Sequence, residues 1–335
     1  MRRIPGTPFL YTLLALNVVD VRSQEVSTYV LVTPECVELN RTVLAQVANG
    51  QTAAAEAALA TTLASGANRA QTACGGLVLN NMAAVAAVYG WPAEAERLAE
   101  RSVRTLEESY PPNDPALLRP LQIFAAARIE QGKPAKAREA YKRMQAIQIR
   151  RPEDAALVHG IAGPLLQVER RLAEAETEYI AALQSWTDAG RGETADAGAI
   201  LNSLGSLYIE GNRLDDARRA LDRALAIFSY AIDAVPMDRI KVLHLRGVLR
   251  ARQGEWREAE QDFCDALSLA DREPKFDSSA LRSLLSGYAI VLRKNHRGKD
   301  ARAVEARIAA LGRNHAVEDV VDVTDLLPKP QHVAK

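Results

Sequence analysis

Small residues return at a nearly constant interval along most of this chain. Each of seven similar stretches has an alanine at the same place in its pattern. These repeat alanines are Ala55, Ala95, Ala137, Ala175, Ala217, Ala259 and Ala301, with spacings of 40, 42, 38, 42, 42 and 42 residues. Such a period predicts stacked copies of one supersecondary unit, because each copy can bury its apolar face only against its neighbours.

Each copy has the pattern of two helices joined by a short turn. In residues 201–228, Gly205 falls in the first helix and Gly211-Asn212 is the only turn signal. Gly163, Gly205 and Gly247 each stand twelve residues before a repeat alanine. A glycine inside a helix costs about 1 kcal/mol relative to alanine, so its recurrence predicts close contact between the two helices.

Bulky residues of the second helix are expected to fill the space beside these small residues. They are Tyr141, Tyr179, Leu221 and Phe263. The residue between the helices is glycine or asparagine at Gly132, Asn212 and Gly254. Both residue types tolerate the positive φ that is common where a helix ends, so these positions predict the hairpin turns.

The Leu204-Gly205 pair, with Tyr208, Ala217 and Ala224, resembles the tetratricopeptide repeat family. The step of 42 residues is longer than usual for that family and is similar to the long-helix variety found in kinesin light chains and in exported bacterial repeat proteins. The resemblance covers residues 36–312. It implies an all-α fold, a right-handed α-solenoid of about seven stacked helix-turn-helix hairpins, and a non-catalytic role in binding other proteins.

The first 23 residues have the pattern of a secretory signal peptide. Arg2 and Arg3 precede an apolar run at residues 9–19, and Val21 and Ser23 occupy the cleavage positions. The run is shorter than the roughly 20 residues needed to span a bilayer. The pattern predicts an exported protein, periplasmic or secreted, that contacts a membrane only if the signal stays uncleaved. The alternative is a buried N-terminal helix. Residues 313–335 lose the repeat pattern and are expected to form a C-terminal tail.

Three cysteines give a further expectation about the compartment. Cys36 and Cys74 fall near the starts of successive first helices, 38 residues apart, where parallel neighbouring helices would bring them close. In an oxidising compartment they could form a disulfide, and the alternative is two buried thiols. Cys264 follows Phe263 on a second helix and is expected in the core.

Composition and motifs exclude several classes of function. Lys and Arg together number 42, as do Asp and Glu, so the charge balance does not favour nucleic acid as a partner. Phosphate-binding glycine loops, paired Cys-x-x-Cys and other catalytic motifs do not occur. No spacing places two histidines on one helical face. We therefore expect no enzyme activity, no cofactor, no metal and no small-molecule substrate.

One row of positions on the first helices is a candidate binding site. Fifteen residues before the repeat alanines stand mostly polar or small side chains, among them Asn80, Gln122, Asn202, His244 and Ser286. Amides suit a peptide backbone because they both donate and accept hydrogen bonds. The resemblance implies that this part of the helix lines a concave groove and contacts an extended peptide. The alternative is a polar face exposed to solvent, with no ligand.

Cationic residues lie toward the C-terminal end of the same face. They are Lys241, Arg252, Arg293 and Lys294. Such a group could receive a carboxylate or an acidic side chain of the partner, or it could serve solubility alone.

The predicted function is therefore a scaffold that holds a peptide or protein segment in its concave groove. One alternative is a regulatory or substrate-recruiting subunit of a separate enzyme. The other is a structural scaffold that self-associates through its exposed end repeats. A repeat fold does not decide between them.

Overall fold

A computed structural model describes residues 34–48, 52–65, 69–231, 234–273 and 278–312 of the chain. The predicted signal peptide and C-terminal tail lie outside the described residues. In the described ranges the chain is helical and has no strand. The first seven α-helices are α1 Pro34–Ala48, α2 Thr52–Ser65, α3 Arg69–Val88, α4 Pro92–Glu107, α5 Leu118–Glu130, α6 Pro134–Gln145 and α7 Pro152–Val168. The others are α8 Leu172–Asp188, α9 Ala195–Glu210, α10 Leu214–Tyr230, α11 Pro236–Arg252, α12 Trp256–Ala270, α13 Ser278–Lys294 and α14 Gly298–Gly312. A short 3-10 helix, Pro115–Leu117, precedes α5.

The helices pack as seven consecutive hairpins. Each odd-numbered helix, here called an A helix, packs on the even-numbered B helix that follows it. Each hairpin also packs against the next one, and A helices contact the A helices of neighbouring hairpins. The predicted all-α solenoid of seven hairpins is confirmed.

The repeat alanines are the most enclosed positions of the array. All seven have 0% of their surface exposed. They lie on the B helices, where a larger side chain would separate the helix from its partner. The regular spacing in the sequence thus reflects one packing position repeated in each hairpin.

The recurring glycines mark where each A helix approaches its B helix. A Cβ atom added at Gly163 would lie 2.6 Å from Cδ1 of Tyr179. At Gly205 it would lie 2.5 Å from Cδ2 of Leu221, and at Gly247 it would lie 2.9 Å from Cε2 of Phe263. The prediction that bulky B-helix residues fill the space beside these glycines is confirmed at all three positions.

A residue with positive φ ends the A helix of six hairpins. These residues are Gly90, Gly132, Arg170, Asn212, Gly254 and His296, with φ between 57° and 78°. The expectation for Gly132, Asn212 and Gly254 is confirmed. Arg170 and His296 adopt the same conformation at the equivalent place, although a side chain with Cβ disfavours it.

The N-terminal hairpin is joined covalently to its neighbour. Cys36 of α1 and Cys74 of α3 form a disulfide with a Cα–Cα distance of 5.8 Å. The expectation that Cys264 lies in the core is wrong, because this residue is exposed. Phe263 and Ala266 occupy the buried side of α12, which turns Cys264 outward, with its Sγ 3.5 Å from Oη of Tyr288.

Among the described residues, no helix has both the length and the apolar character to cross a membrane.

Candidate functional site

Four positions of each A helix from α3 to α13 share one side of that helix. On α9 this side carries Ala199, Asn202, Ser206 and Glu210, which follow at steps of three and four residues and so share one face. The equivalent residues, 18, 15, 11 and 7 positions before the repeat alanine, form what we call the inner face. They comprise Leu77, Asn80, Ala84 and Val88 on α3; Arg119, Gln122, Ala126 and Glu130 on α5; and Leu157, Gly160, Pro164 and Val168 on α7. On α11 they are Lys241, His244, Val248 and Arg252, and on α13 they are Ser283, Ser286, Ile290 and Lys294.

Contacts across α7 show that the inner face is concave. Arg119 of α5 donates two hydrogen bonds of 3.1 Å to the carboxylate of Asp196 on α9. These helices belong to hairpins that are separated by a whole hairpin, so the arginine bridges over the inner side of α7. A Cβ atom at Gly160 of α7 would lie 3.5 Å from Nε2 of Gln122 and 3.5 Å from Cδ1 of Ile200. The A helices on both sides therefore converge on this glycine.

The Arg119–Asp196 bridge is reinforced by an aromatic ring. Asp196 is buried, and Nη2 of Arg191 lies 3.7 Å from its Oδ2. The buried ring of Trp186 has both guanidinium groups close by, with centroid distances of 5.7 Å to Arg119 and 5.1 Å to Arg191. This cluster joins three successive hairpins along the edge of the array that the N-terminal ends of the A helices form.

The predicted polar row is more enclosed than expected. Asn80, Gln122, Asn202 and His244 are buried, whereas both a groove lining and a solvent-exposed face would leave them accessible. The reason is that small residues such as Gly160 allow neighbouring A helices to pack closely, which covers the row from both sides. Ser286 is half-buried and donates a hydrogen bond of 2.8 Å to the carbonyl of Arg282 in its own helix.

Part of this row is hydrogen-bonded within the protein. Asn80 donates to Oδ1 of Asn81 at 3.3 Å, and Asn81 donates to Oδ1 of Asn40 on α1 at 3.0 Å. Gln122 accepts a bond of 3.2 Å from Arg119. Burial lowers the pKa of His244 to about 3, so its imidazole is neutral at physiological pH.

Several acceptors on the inner face have no hydrogen-bond partner. In the part of the chain that the structure describes, four buried side-chain oxygens are unpaired, and three of them belong to inner-face residues. These three are Oδ1 of Asn80, Oε2 of Glu130 and Oδ1 of Asn202. The carbonyl of Gly160 also lacks its usual partner within the helix, because Pro164 one turn later has no N–H to donate. Such groups are uncommon in folded proteins and call for an explanation.

The cationic residues do not form one cluster. Nη1 of Arg252 donates to the carbonyl of Ile209 on α9 at 3.0 Å, and Nζ of Lys294 lies 5.6 Å from the ring centroid of Trp256. Arg293 turns to its own B helix and binds Glu305, with its Nη2 2.7 Å from Oε1. Lys241 lies toward the other end of the inner face, where burial lowers its pKa and Asp238 and Glu130 oppose that shift. Arg252 and Lys294 share a register position on the neighbouring helices α11 and α13, whereas Arg293 and Lys241 lie elsewhere. The four residues therefore do not form the expected single cationic end.

Three buried aspartates at the starts of A helices were missed by sequence reasoning. They are Asp154, Asp196 and Asp238, at intervals of 42 residues. Asp154 accepts the backbone N–H groups of Arg150 and Arg151 at 3.1 and 3.0 Å, and Asp238 accepts that of Val235 at 3.1 Å. Their regular step is a signal that could have found them. Arg119 was also missed, because the equivalent positions of the neighbouring A helices are apolar, Leu77 and Leu157. Glu130 was missed although charged residues, among them Glu210, recur at its register position.

No group of three or more histidine, cysteine, aspartate or glutamate residues in the described ranges is arranged to hold a metal ion.

Comparison with known proteins agrees with the repeat pattern. The tetratricopeptide repeat model matches residues 154–229, which cover the hairpins α7–α8 and α9–α10 almost completely. The structure is similar to that of BtubC (BKLC) from P. vanneervenii, with 21% identity, a TM-score of 0.53, and coverage of 70% of this chain and 94% of that chain. It also matches a Podosopora anserina protein of the kinesin light chain kind with nearly identical TPR-like repeats, with 14% identity, a TM-score of 0.34, and coverage of 70% and 93%. No match was found among curated proteins.

Proposed function

Since the chain is a tetratricopeptide repeat protein, and such repeats generally mediate protein–protein interaction, we propose that it binds a segment of a partner protein along its inner face. Repeats of this family are typically non-catalytic, and we propose the same for this chain. The observation that carries the proposal is the set of unpaired acceptors on the inner face. An extended peptide has regularly spaced N–H groups that could satisfy them once these side chains turn toward the surface of the inner face.

The shape of the inner face also suits a chain segment. Ser206, at a middle position of α9, has a small side chain and is half-buried, which leaves room for a backbone to approach there. The flanking polar side chains are held by packed helices. A rigid array of this kind limits the conformational entropy that is lost on binding.

A pair of bulky substitutions tests the use of the inner face. Ser206 is half-buried on α9, and Ser206→Trp would obstruct the inner face. Ile180 is 51% exposed on α8, so Ile180→Trp is the matched control on another surface. We expect proteins that co-purify with the tagged wild type from the native host to be lost with Ser206→Trp and kept with Ile180→Trp. Thermal melts would establish that both variants fold.

The opposite result favours another mode of action. If Ser206→Trp keeps every co-purifying protein, the inner face is not the binding surface. Self-association through the end repeats would then be the leading alternative, and sedimentation at increasing protein concentration would measure it.

We also propose that the protein acts in an oxidising compartment after export. The Cys36–Cys74 disulfide supports this, because such bonds persist mainly outside the cytosol. The mass of the protein isolated from its native host, measured without reductant, would give both the state of the two thiols and the position of its N-terminus. Free thiols on an intact N-terminus would contradict the proposal.

A further inference from the structure

We infer that Glu130 recognises a positively charged side chain, lysine or arginine, in the partner segment. The inference rests on the proposed function and names the chemistry of the bound segment. It depends on the position of the carboxylate on the inner face and on its missing hydrogen-bond partners.

Glu130 differs from the glutamate at the equivalent position of another A helix. Glu210, at the same place on α9, accepts a hydrogen bond of 3.0 Å from Gln167 and forms an ion pair with Arg170. Those two partners come from the preceding hairpin. In the hairpin that precedes Glu130, the equivalent positions are occupied by Ala87 and Gly90, which have no side chain that can donate a hydrogen bond. Oε2 of Glu130 is buried and without a hydrogen-bond partner.

The surroundings of Glu130 make an added cation favourable. Glu130 is half-buried and its Oε2 is enclosed by protein. This burial raises the pKa of the carboxyl to about 8, while Lys241 acts in the opposite direction. Lys241 does not donate a hydrogen bond to Oε2. Burial lowers the pKa of Lys241, and Asp238 opposes this shift more than Glu130 does. Oε2 therefore still lacks a donor. An ammonium or guanidinium group would provide one and would stabilise the ionised form of the carboxyl, which burial disfavours.

Three other acceptors of the inner face agree with a donor-rich occupant. Oδ1 of Asn80, Oδ1 of Asn202 and the carbonyl of Gly160 are acceptors like the Glu130 carboxylate. Backbone N–H groups of an extended segment suit the amide and carbonyl oxygens. A lysine ammonium has three donors and an arginine guanidinium has five, and neither has an acceptor, so both suit a carboxylate.

Fixed-position peptide libraries test this assignment. The probes are capped nonapeptides whose central residue is Lys, Arg, Glu or Leu and whose other positions are mixtures without cysteine. They are passed over the immobilised full chain, and the retained peptides are quantified by mass spectrometry. We expect the Lys and Arg libraries to be retained about tenfold more than the Leu library, since a charged hydrogen bond is worth that factor or more.

Three variants separate recognition from folding. Glu130→Gln keeps the shape of the side chain and should abolish the preference for Lys and Arg. Glu210→Gln changes the equivalent residue on α9 and should leave the preference unchanged. Glu130→Lys should reverse the preference toward the Glu library, a result that a misfolded protein would not give.

The outcomes distinguish this inference from the proposed function. Equal retention of all libraries by the wild type, or a Lys and Arg preference that persists in Glu130→Gln, would overturn the role of Glu130 and leave peptide binding intact. If the wild type retained no library, both would be overturned.

Discussion

Adding one methyl group at Gly163 tests how the hairpins are packed. In most helix interiors, replacing glycine with alanine stabilises the protein by about 1 kcal/mol. At Gly163 the new Cβ would lie 2.6 Å from Cδ1 and 2.8 Å from Cζ of Tyr179. The Tyr179 ring is 1% exposed, and its hydroxyl donates a hydrogen bond of 3.0 Å to Gln167. The ring therefore cannot move aside without breaking that bond or displacing the next helix.

The expected magnitude follows from two opposing terms. Overpacking of a well-filled core costs about 1–3 kcal/mol, and the gain in helix propensity offsets about 1 kcal/mol of this. We expect Gly163→Ala to lower the free energy of unfolding by up to about 2 kcal/mol. Gly160, three residues earlier in the same helix, is the matched control. A Cβ there meets its nearest neighbours at 3.5 Å, so Gly160→Ala should stabilise by about 0.5–1 kcal/mol.

Urea denaturation followed by circular dichroism would measure both variants. A double-mutant cycle with Tyr179→Ala identifies the cause, because Gly163→Ala should become stabilising once the ring is removed. If Gly163→Ala is as stable as Gly160→Ala in the wild-type background, the close approach of α7 to α8 at this position is refuted.

Three further predictions concern the turns, the disulfide and pH. Arg170→Gly should raise the free energy of unfolding by about 1 kcal/mol in the same denaturation assay, because φ is 64° at this residue. A loss of stability would mean that the Arg170–Glu210 ion pair outweighs the backbone strain. Reducing the Cys36–Cys74 bond, which joins residues 38 positions apart, should lower the free energy of unfolding by up to about 4 kcal/mol. The control is a Cys36→Ser, Cys74→Ser variant, whose stability reductant should leave unchanged. Equal melts of the wild type with and without reductant would contradict this prediction. The folded-state pKa of Glu130, about 8, lies above its unfolded value of roughly 4.3, so the folded protein holds the proton between these values and loses stability as pH rises through that window. Glu130→Gln should therefore match the wild type near pH 4 and exceed its free energy of unfolding by roughly 4–5 kcal/mol at pH 8. A stability difference that does not change with pH would show that burial does not disfavour the ionised carboxyl.

The fold could be predicted from the sequence because one packing position is repeated. The fully buried repeat alanines and the glycines beside Tyr179, Leu221 and Phe263 each leave a residue type that recurs at a fixed step. One copy already contains these residue types, and their recurrence in the next copy strengthens the prediction. The hairpin turns at Arg170 and His296 were harder to assign because their side chains give no turn signal.

The candidate site was only partly predictable, because it depends on curvature. Arg119 and Asp196 are 77 residues apart, and only the bending of the array across α7 brings them together. The burial of Asn202 depends in the same way on how closely neighbouring A helices pack, which the periodicity of one helix does not reveal. The unpaired state of Glu130 could have been found by comparing its neighbours in register, since Ala87 and Gly90 replace the residues that bind Glu210.

Site-specific photo-crosslinking in the native host tests the central claim most directly. A photoreactive amino acid at Ser206 places the probe on the inner face, and the same amino acid at Ile180 samples an exposed position on α8. The account predicts a discrete protein adduct from position 206, mapped by mass spectrometry to one short segment of the partner, and no such adduct from position 180. Adducts from position 180 alone, or from neither position, would contradict binding along the inner face.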